Sequence, residues 1–72
     1  MSERGAIEVV ANGEPRSVPA GSTVVTLLER LAVDPATVVV ERNGEILRGS
    51  ALGQAALEPG DVLEIVHFVG GG

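Results

Sequence analysis

The chain of 72 residues has no cysteine, no lysine, no tryptophan and no tyrosine, and Phe68 is its only aromatic residue. Without cysteine there is no disulfide, no thiolate ligand for zinc and no cysteine nucleophile. The single histidine, His67, cannot form a zinc site alone, and no evident acid orients it for a serine–histidine mechanism. These absences exclude a disulfide miniprotein and a zinc finger, and they argue against catalysis by the chain's own side chains.

Basic residues are also few, with five arginines against ten Asp and Glu and a net charge of −5. This balance argues against electrostatic binding to nucleic acid or to an anionic membrane. No segment approaches the roughly 20 apolar residues of a membrane span, and the first residues do not resemble a signal peptide. We therefore expect one small cytoplasmic domain with no nucleic-acid or membrane partner.

What the sequence does contain is a pattern of short strands joined by tight turns. Residues 6–11 alternate as a strand does, and Asn12-Gly13 favours a hairpin to a short return strand at 16–18. The β-branched segment 37–42 repeats the pattern, with Asn43-Gly44 leading to a strand at 45–47. A final strand is predicted at 62–68. Glu58 and Asp61 flank the turn before it, where we expect turn and solvation roles.

One amphipathic helix is predicted between the two hairpins. Ser22 or Thr23 can cap it, and Pro35 is expected to end it. Its apolar stripe has helical spacing and comprises Val24, Leu27, Leu28 and Leu31. Residues 48–57 predict only a single helical turn. The order of elements predicts an α+β roll, with the helix over one face of the sheet and the other face open.

The sheet face away from the helix, here called the open face, is the predicted docking surface. The alternation of the last strand places Leu63 and Ile65 in the core and the intervening side chains on the open face. Single exposed apolar side chains are normal on a protein surface. Four of them in neighbouring strands, rimmed by glutamates, instead indicate an interaction site. The predicted partner-binding residues are Val10, Val39, Val66 and Phe68.

The last three residues, Gly70, Gly71 and Gly72, form a tail without side chains. Such a tail can enter a narrow channel in another protein, although a glycine-rich terminus without a role is the alternative. A terminal carboxylate is a poor electrophile until it is activated. Its attack on the α-phosphate of ATP would give an acyl-adenylate, which a sulfur nucleophile could convert to a thiocarboxylate.

These features together resemble a known family over residues 6–72. The resemblance is carried by Asn12-Gly13-Glu14-Pro15, by residues 39–46, and most specifically by residues 60–69 with the glycines at the end of the chain. It is a resemblance to the ubiquitin-like β-grasp sulfur carriers, and among them to the ThiS family of thiamine biosynthesis. Between 47 and 57 the match is looser, because Arg48 and Leu52 stand where family members often carry a proline and an aromatic residue. The resemblance implies a β-grasp domain at 1–69, with a mixed sheet of about four to five strands on one main helix, and a flexible tail at 70–72.

The resemblance also implies a function. Gly72 would be adenylated by an E1-like enzyme that consumes ATP, a sulfur donor system would form the thiocarboxylate, and thiazole synthase would receive the sulfur. The chain would then be a carrier and a substrate, with no bound cofactor, no metal and no catalytic residue of its own. Alternatives remain open: a carrier for molybdopterin, cysteine or tRNA thiolation, a ubiquitin-like modifier, or a plain interaction module.

Overall fold

A computed structural model describes residues 5–68, which form one sheet packed against one main helix. The strands are β1 (Ala6–Ala11), β2 (Glu14–Pro19), β3 (Val38–Arg42), β4 (Glu45–Leu47) and β5 (Val62–His67). The helices are α1 (Val24–Arg30) and the short α2 (Ala51–Gln54), and a 3₁₀ turn spans Pro35–Thr37. The predicted mixed sheet with one main helix is confirmed, as is the helical turn within 48–57.

The strand order is β2-β1-β5-β3-β4, so the last strand of the chain lies at the centre of the sheet. Both hairpins, β1–β2 and β3–β4, are antiparallel, and β5 is antiparallel to β3. Only the β1–β5 pairing is parallel, with Val10 opposite Val62 and Ala11 opposite Leu63. Because β5 is central, both hairpins hold the segment that leads to the glycine tail.

The core lies between the sheet and the helices. Its buried side chains come from every layer of the fold: Val9, Ala11, Val18, Val24, Leu27, Leu28, Val38, Val40, Leu52, Leu57 and Leu63. Leu52, where the family resemblance is loosest, is only 1% exposed and anchors α2 against the core. Leu63 is fully buried and Ile65 partly so, which confirms the predicted alternation of the last strand.

The main helix is shorter than the sequence predicts. It begins at the Thr23 cap as expected, with a reciprocal capping box to Thr26, but it ends at Arg30 rather than near Pro35. The end is a Schellman motif, in which the N–H of Val33 donates to the carbonyl oxygen of Leu28 at 2.9 Å. Ala32 takes the left-handed position of this motif, with φ of 59°. Glycine usually occupies that position, so the sequence carried no signal for the early end.

Candidate docking face and the strand that leads to the tail

The exposed large apolar side chains of residues 5–68 all lie on the open face. Val66 and Phe68 are 52% and 55% exposed, and Ile46 and Val62 are 56% and 48% exposed. The sheet register places Val66 and Val62 on this face together with the partly buried Val10 and Val39. Sequence reasoning missed Ile46 and Val62, although the alternation in β4 and β5 assigns both to this face.

The four predicted docking residues fall into two groups. Val39 lies directly opposite Val66, and the backbone N–H of Phe68 donates to Thr37, two residues before Val39. We call Val39, Val66 and Phe68 the Phe68 patch. Val10 lies apart, beside Val62 at the other end of β5. The predicted residues therefore share one face, but only three of them form a contiguous patch.

Two glutamates separate these groups, where the sequence suggested a rim. Glu41 of β3 lies directly opposite Glu64 of β5, and Ile46 lies opposite Glu41 on its other side. Along β5, Glu64 stands between Val62 and Val66, which point to the same face. The centre of the open face is thus acidic, and apolar side chains flank it along β5 and β3 and on β4.

Both hairpin turns hold β5 through an asparagine side chain. Asn12 and Asn43 each have φ of 50° and precede a glycine with positive φ, as a type I′ turn requires. The Oδ1 of Asn12 accepts from the Ile65 N–H at 2.7 Å, beyond the point where the β1–β5 pairing ends. The Oδ1 of Asn43 accepts from the Val62 N–H at 2.9 Å. The two turns therefore hold the start and the middle of β5, and the bond from the Phe68 N–H to the carbonyl oxygen of Thr37 at 2.9 Å holds its far end.

Asp61 lies at the start of β5 and is only 6% exposed. Its Oδ2 accepts from Arg42 Nε at 3.0 Å and from the Glu58 N–H at 2.9 Å, and its Oδ1 accepts from Asn43 Nδ2 at 3.0 Å. Burial by itself raises the pKa of Asp61, but these hydrogen bonds and the charge of Arg42 outweigh it and hold the pKa below its ordinary value. The expected turn role is confirmed, because the carboxylate accepts from Glu58 in its own turn. The expected solvation role is wrong for Asp61, because the buried carboxylate also joins this turn to the end of β3 and its hairpin turn.

The remaining sequence predictions concern the end of the chain. His67 is exposed, and it lies opposite the buried Val38 in the β3–β5 pairing. Gly70, Gly71 and Gly72 lie outside the described residues, as does the predicted boundary between domain and tail. Residues 5–68 hold no cluster of three or more metal-ligating side chains. Within the same residues no helix is long and apolar enough to cross a membrane.

Comparisons with known proteins point to one family. The model of the ThiS family matches residues 8–72. The sulfur carrier protein ThiS of Bacillus subtilis is 44% identical over 50 residues, which are 69% of this chain and 76% of that protein. The crystal structure of the thiamine biosynthesis protein ThiS from Geobacter metallireducens superposes with a TM-score of 0.75 at 36% identity, covering 92% of this chain and all of that one. The β-grasp fold expected from the sequence is thereby confirmed.

A third relative is much longer than this chain. It is a thiazole synthase of Paramagnetospirillum magneticum, 50% identical over 66 residues. Those residues are 92% of this chain but only 20% of the synthase, so the chain spans about a fifth of that protein's length.

Proposed function

Because this chain belongs to the ThiS family, we propose that it is a sulfur carrier of thiamine biosynthesis, with the carboxyl group of Gly72 as its reactive group. The observation that carries the proposal is the family match over residues 8–72, which includes all three glycines of the tail. The chain acts in this proposal as a carrier and a substrate, and other proteins supply the catalytic groups.

The proposed chemistry has two steps. An E1-like adenylating enzyme binds ATP, and the Gly72 carboxylate attacks the α-phosphate, which releases pyrophosphate and leaves an acyl-adenylate. Sulfide-level sulfur from a donor system then attacks the activated carbonyl carbon as HS⁻, the carbon–oxygen bond to AMP breaks, and loss of the thiol proton leaves the thiocarboxylate. ATP belongs to the enzyme in this scheme, and the carrier binds no cofactor. Since both steps consume cytoplasmic reactants, we place the protein in the cytoplasm.

The fold supports this role because the docking surface, on the open face, is separate from the reactive group at Gly72. Asn43 and Asn12 hold β5 at Val62 and Ile65, and Thr37 holds the Phe68 N–H, so the strand offers a fixed base for the last four residues of the chain. Four residues beyond Phe68 span at most roughly 14 Å when fully extended. A partner bound to the open face can therefore receive Gly72 in an active site that lies within roughly 14 Å of Phe68.

We propose that the acceptor of the sulfur is a thiazole synthase, and that the open face is where partners dock. A thiazole synthase of Paramagnetospirillum magneticum contains a segment 50% identical to this chain, which supports a functional link between the two kinds of domain. The concentration of exposed apolar side chains on one sheet face supports docking there, because such patches on small proteins commonly mark interaction sites.

A substitution at Phe68 tests the docking part of the proposal. Phe68 is 55% exposed, so Phe68→Asp should lower the melting temperature by no more than about 3 °C. We expect it to weaken binding to the adenylating enzyme or to thiazole synthase by about tenfold or more. Calorimetric titration and thermal unfolding measure the two effects. Unchanged binding to both partners, or a collapse of the fold, would contradict this assignment.

Deletion of Gly71 and Gly72 tests the chemical part. The deletion leaves residues 5–68 intact, so folding and docking should persist while thiazole formation in cells is lost. The matched control is the full-length chain expressed at the same level. Unchanged thiazole formation after the deletion would refute the carrier function.

A further inference from the structure

The centre of the open face places two carboxylates of like charge side by side between exposed apolar side chains. Glu41 and Glu64 are direct neighbours across the β3–β5 pairing, with Val39 and Val66 directly opposite each other in the next pair on this face. Directly opposed residues on one face have Cβ atoms about 5 Å apart, and like charges at that separation destabilise a sheet. The ion pairs within residues 5–68 are Arg16–Glu14 and Arg42–Asp61, so neither glutamate is neutralised there.

The same two carboxylates restrict what can cover the face. A partner that buries the Phe68 patch, Ile46 and Val62 would also remove water from Glu41 and Glu64, which lie between them. Burying an ionised carboxylate without a counter-charge is costly, so a purely apolar partner surface is disfavoured. The strand positions of the open face within residues 5–68 include no arginine, and Arg48, which directly follows β4, forms no ion pair with either glutamate.

We propose that the open face receives an arginine of thiazole synthase, which inserts between Glu41 and Glu64 and is framed by apolar side chains that cover the Phe68 patch. The inference rests on the proposed function, since it specifies the partner surface for that same docking face. A guanidinium group suits the position because its planar fork of donors can bond two carboxylates at once, whereas the ammonium group of lysine is a single point charge. The net charge of −5 adds long-range attraction toward a basic surface.

This arrangement predicts opposite effects on stability and on binding. Glutamine in place of either glutamate keeps the shape and removes the repulsion, so the free protein should become more stable. The same replacement removes the charge that the partner's arginine would meet, so the complex should become weaker. A merely structural role for these residues would not separate the two effects in this way.

The experiment uses the full chain and the thiazole synthase of the same organism, with binding measured by calorimetry at low and at high salt. We expect Glu41→Gln and Glu64→Gln each to weaken binding about two- to fivefold, and the double variant about tenfold. The double variant should lose part of the salt dependence and melt about 1–3 °C higher than the parent. Glu29→Gln is the matched control, because Glu29 is exposed on α1 on the opposite side of the sheet. It should bind as the parent does.

Other outcomes overturn the inference. Binding of the double variant that equals or exceeds that of the parent refutes the arginine site, and so does a lower melting temperature with weaker binding. If the parent chain does not bind thiazole synthase, the choice of partner is wrong. Thiocarboxylate formation by the adenylating enzyme is measured on the same samples. If it proceeds while the glutamine variants bind normally, the carrier function stands and only the docking inference fails.

Discussion

Replacement of Asp61 by asparagine should destabilise the protein in a pH-dependent way. The asparagine oxygen can still accept from Arg42 Nε and the Glu58 N–H, but its amide nitrogen then faces the donor Asn43 Nδ2. Asn43 cannot simply turn its amide, because its Oδ1 already accepts from the Val62 N–H. One hydrogen bond to a charged group is lost, and the ion pair with Arg42 is lost with it. We expect a loss of about 2 kcal/mol in the free energy of unfolding.

Thermal and urea unfolding, followed by circular dichroism, measure this loss. For a domain of this size about 2 kcal/mol corresponds to a melting temperature lower by about 10 °C. The folded-state pKa of Asp61 is lowered, so the carboxylate's contribution is fully present above the unfolded value of about 3.9. It is lost as the pH falls through the folded value, so the difference in stability between parent and variant should shrink over that acid range.

The control for Asp61→Asn is Glu14→Gln, which removes the exposed ion pair with Arg16 and should cost less than about 0.5 kcal/mol at any pH. A loss of stability for Asp61→Asn no larger than that of this control at pH 7 would refute the stabilising role of Asp61. A loss that stayed constant from neutral to acid pH would refute it as well.

Four further substitutions test the turn that holds β5, the end of α1 and the burial of side chains in α2 and β5. Asn12→Gly keeps the positive φ but removes the hydrogen bond to the Ile65 N–H, so it should lower the free energy of unfolding by about 1 kcal/mol. The Ile65 amide should then exchange its hydrogen faster than the Leu63 amide does. Ala32→Gly relieves a left-handed backbone at the end of α1 and should raise stability by about 0.5–1 kcal/mol in urea unfolding; a loss would contradict the Schellman assignment. Leu52→Ala should lower the free energy of unfolding by about 3 kcal/mol, because the Leu52 side chain is only 1% exposed. Val66→Ala should lower it by less than about 1 kcal/mol, because the Val66 side chain is 52% exposed.

Much of the fold could be predicted because its signals are local. Asn-Gly occurs twice between alternating segments, and both sites form the expected hairpin turns. The alternation of apolar residues in β5 correctly separated Leu63 from Val66. The central position of β5 and its parallel pairing with β1 have no local signal, since they join residues about fifty positions apart in the sequence. The mixed sheet was expected from the family resemblance.

The features that were missed depend on contacts distant in sequence or on an unusual residue. The side chains of Asn12 and Asn43 bond β5 across 53 and 19 positions, while the sequence indicated only their backbone role. The burial of Asp61 follows from three donors that meet only in the folded state. The early end of α1 depends on the left-handed backbone of Ala32, a conformation that a glycine in the sequence would normally indicate.

The proposed conversion of the Gly72 carboxyl group to a thiocarboxylate changes the intact mass of the protein, and mass spectrometry measures that change. The chain is isolated after co-expression with its adenylating enzyme and a sulfur donor system, and its mass is compared with that of the chain expressed alone. We expect a mass increase equal to the exchange of one oxygen for one sulfur, confined to the peptide that ends at Gly72. An unchanged mass, or a native chain in which further residues come after Gly72, would contradict it.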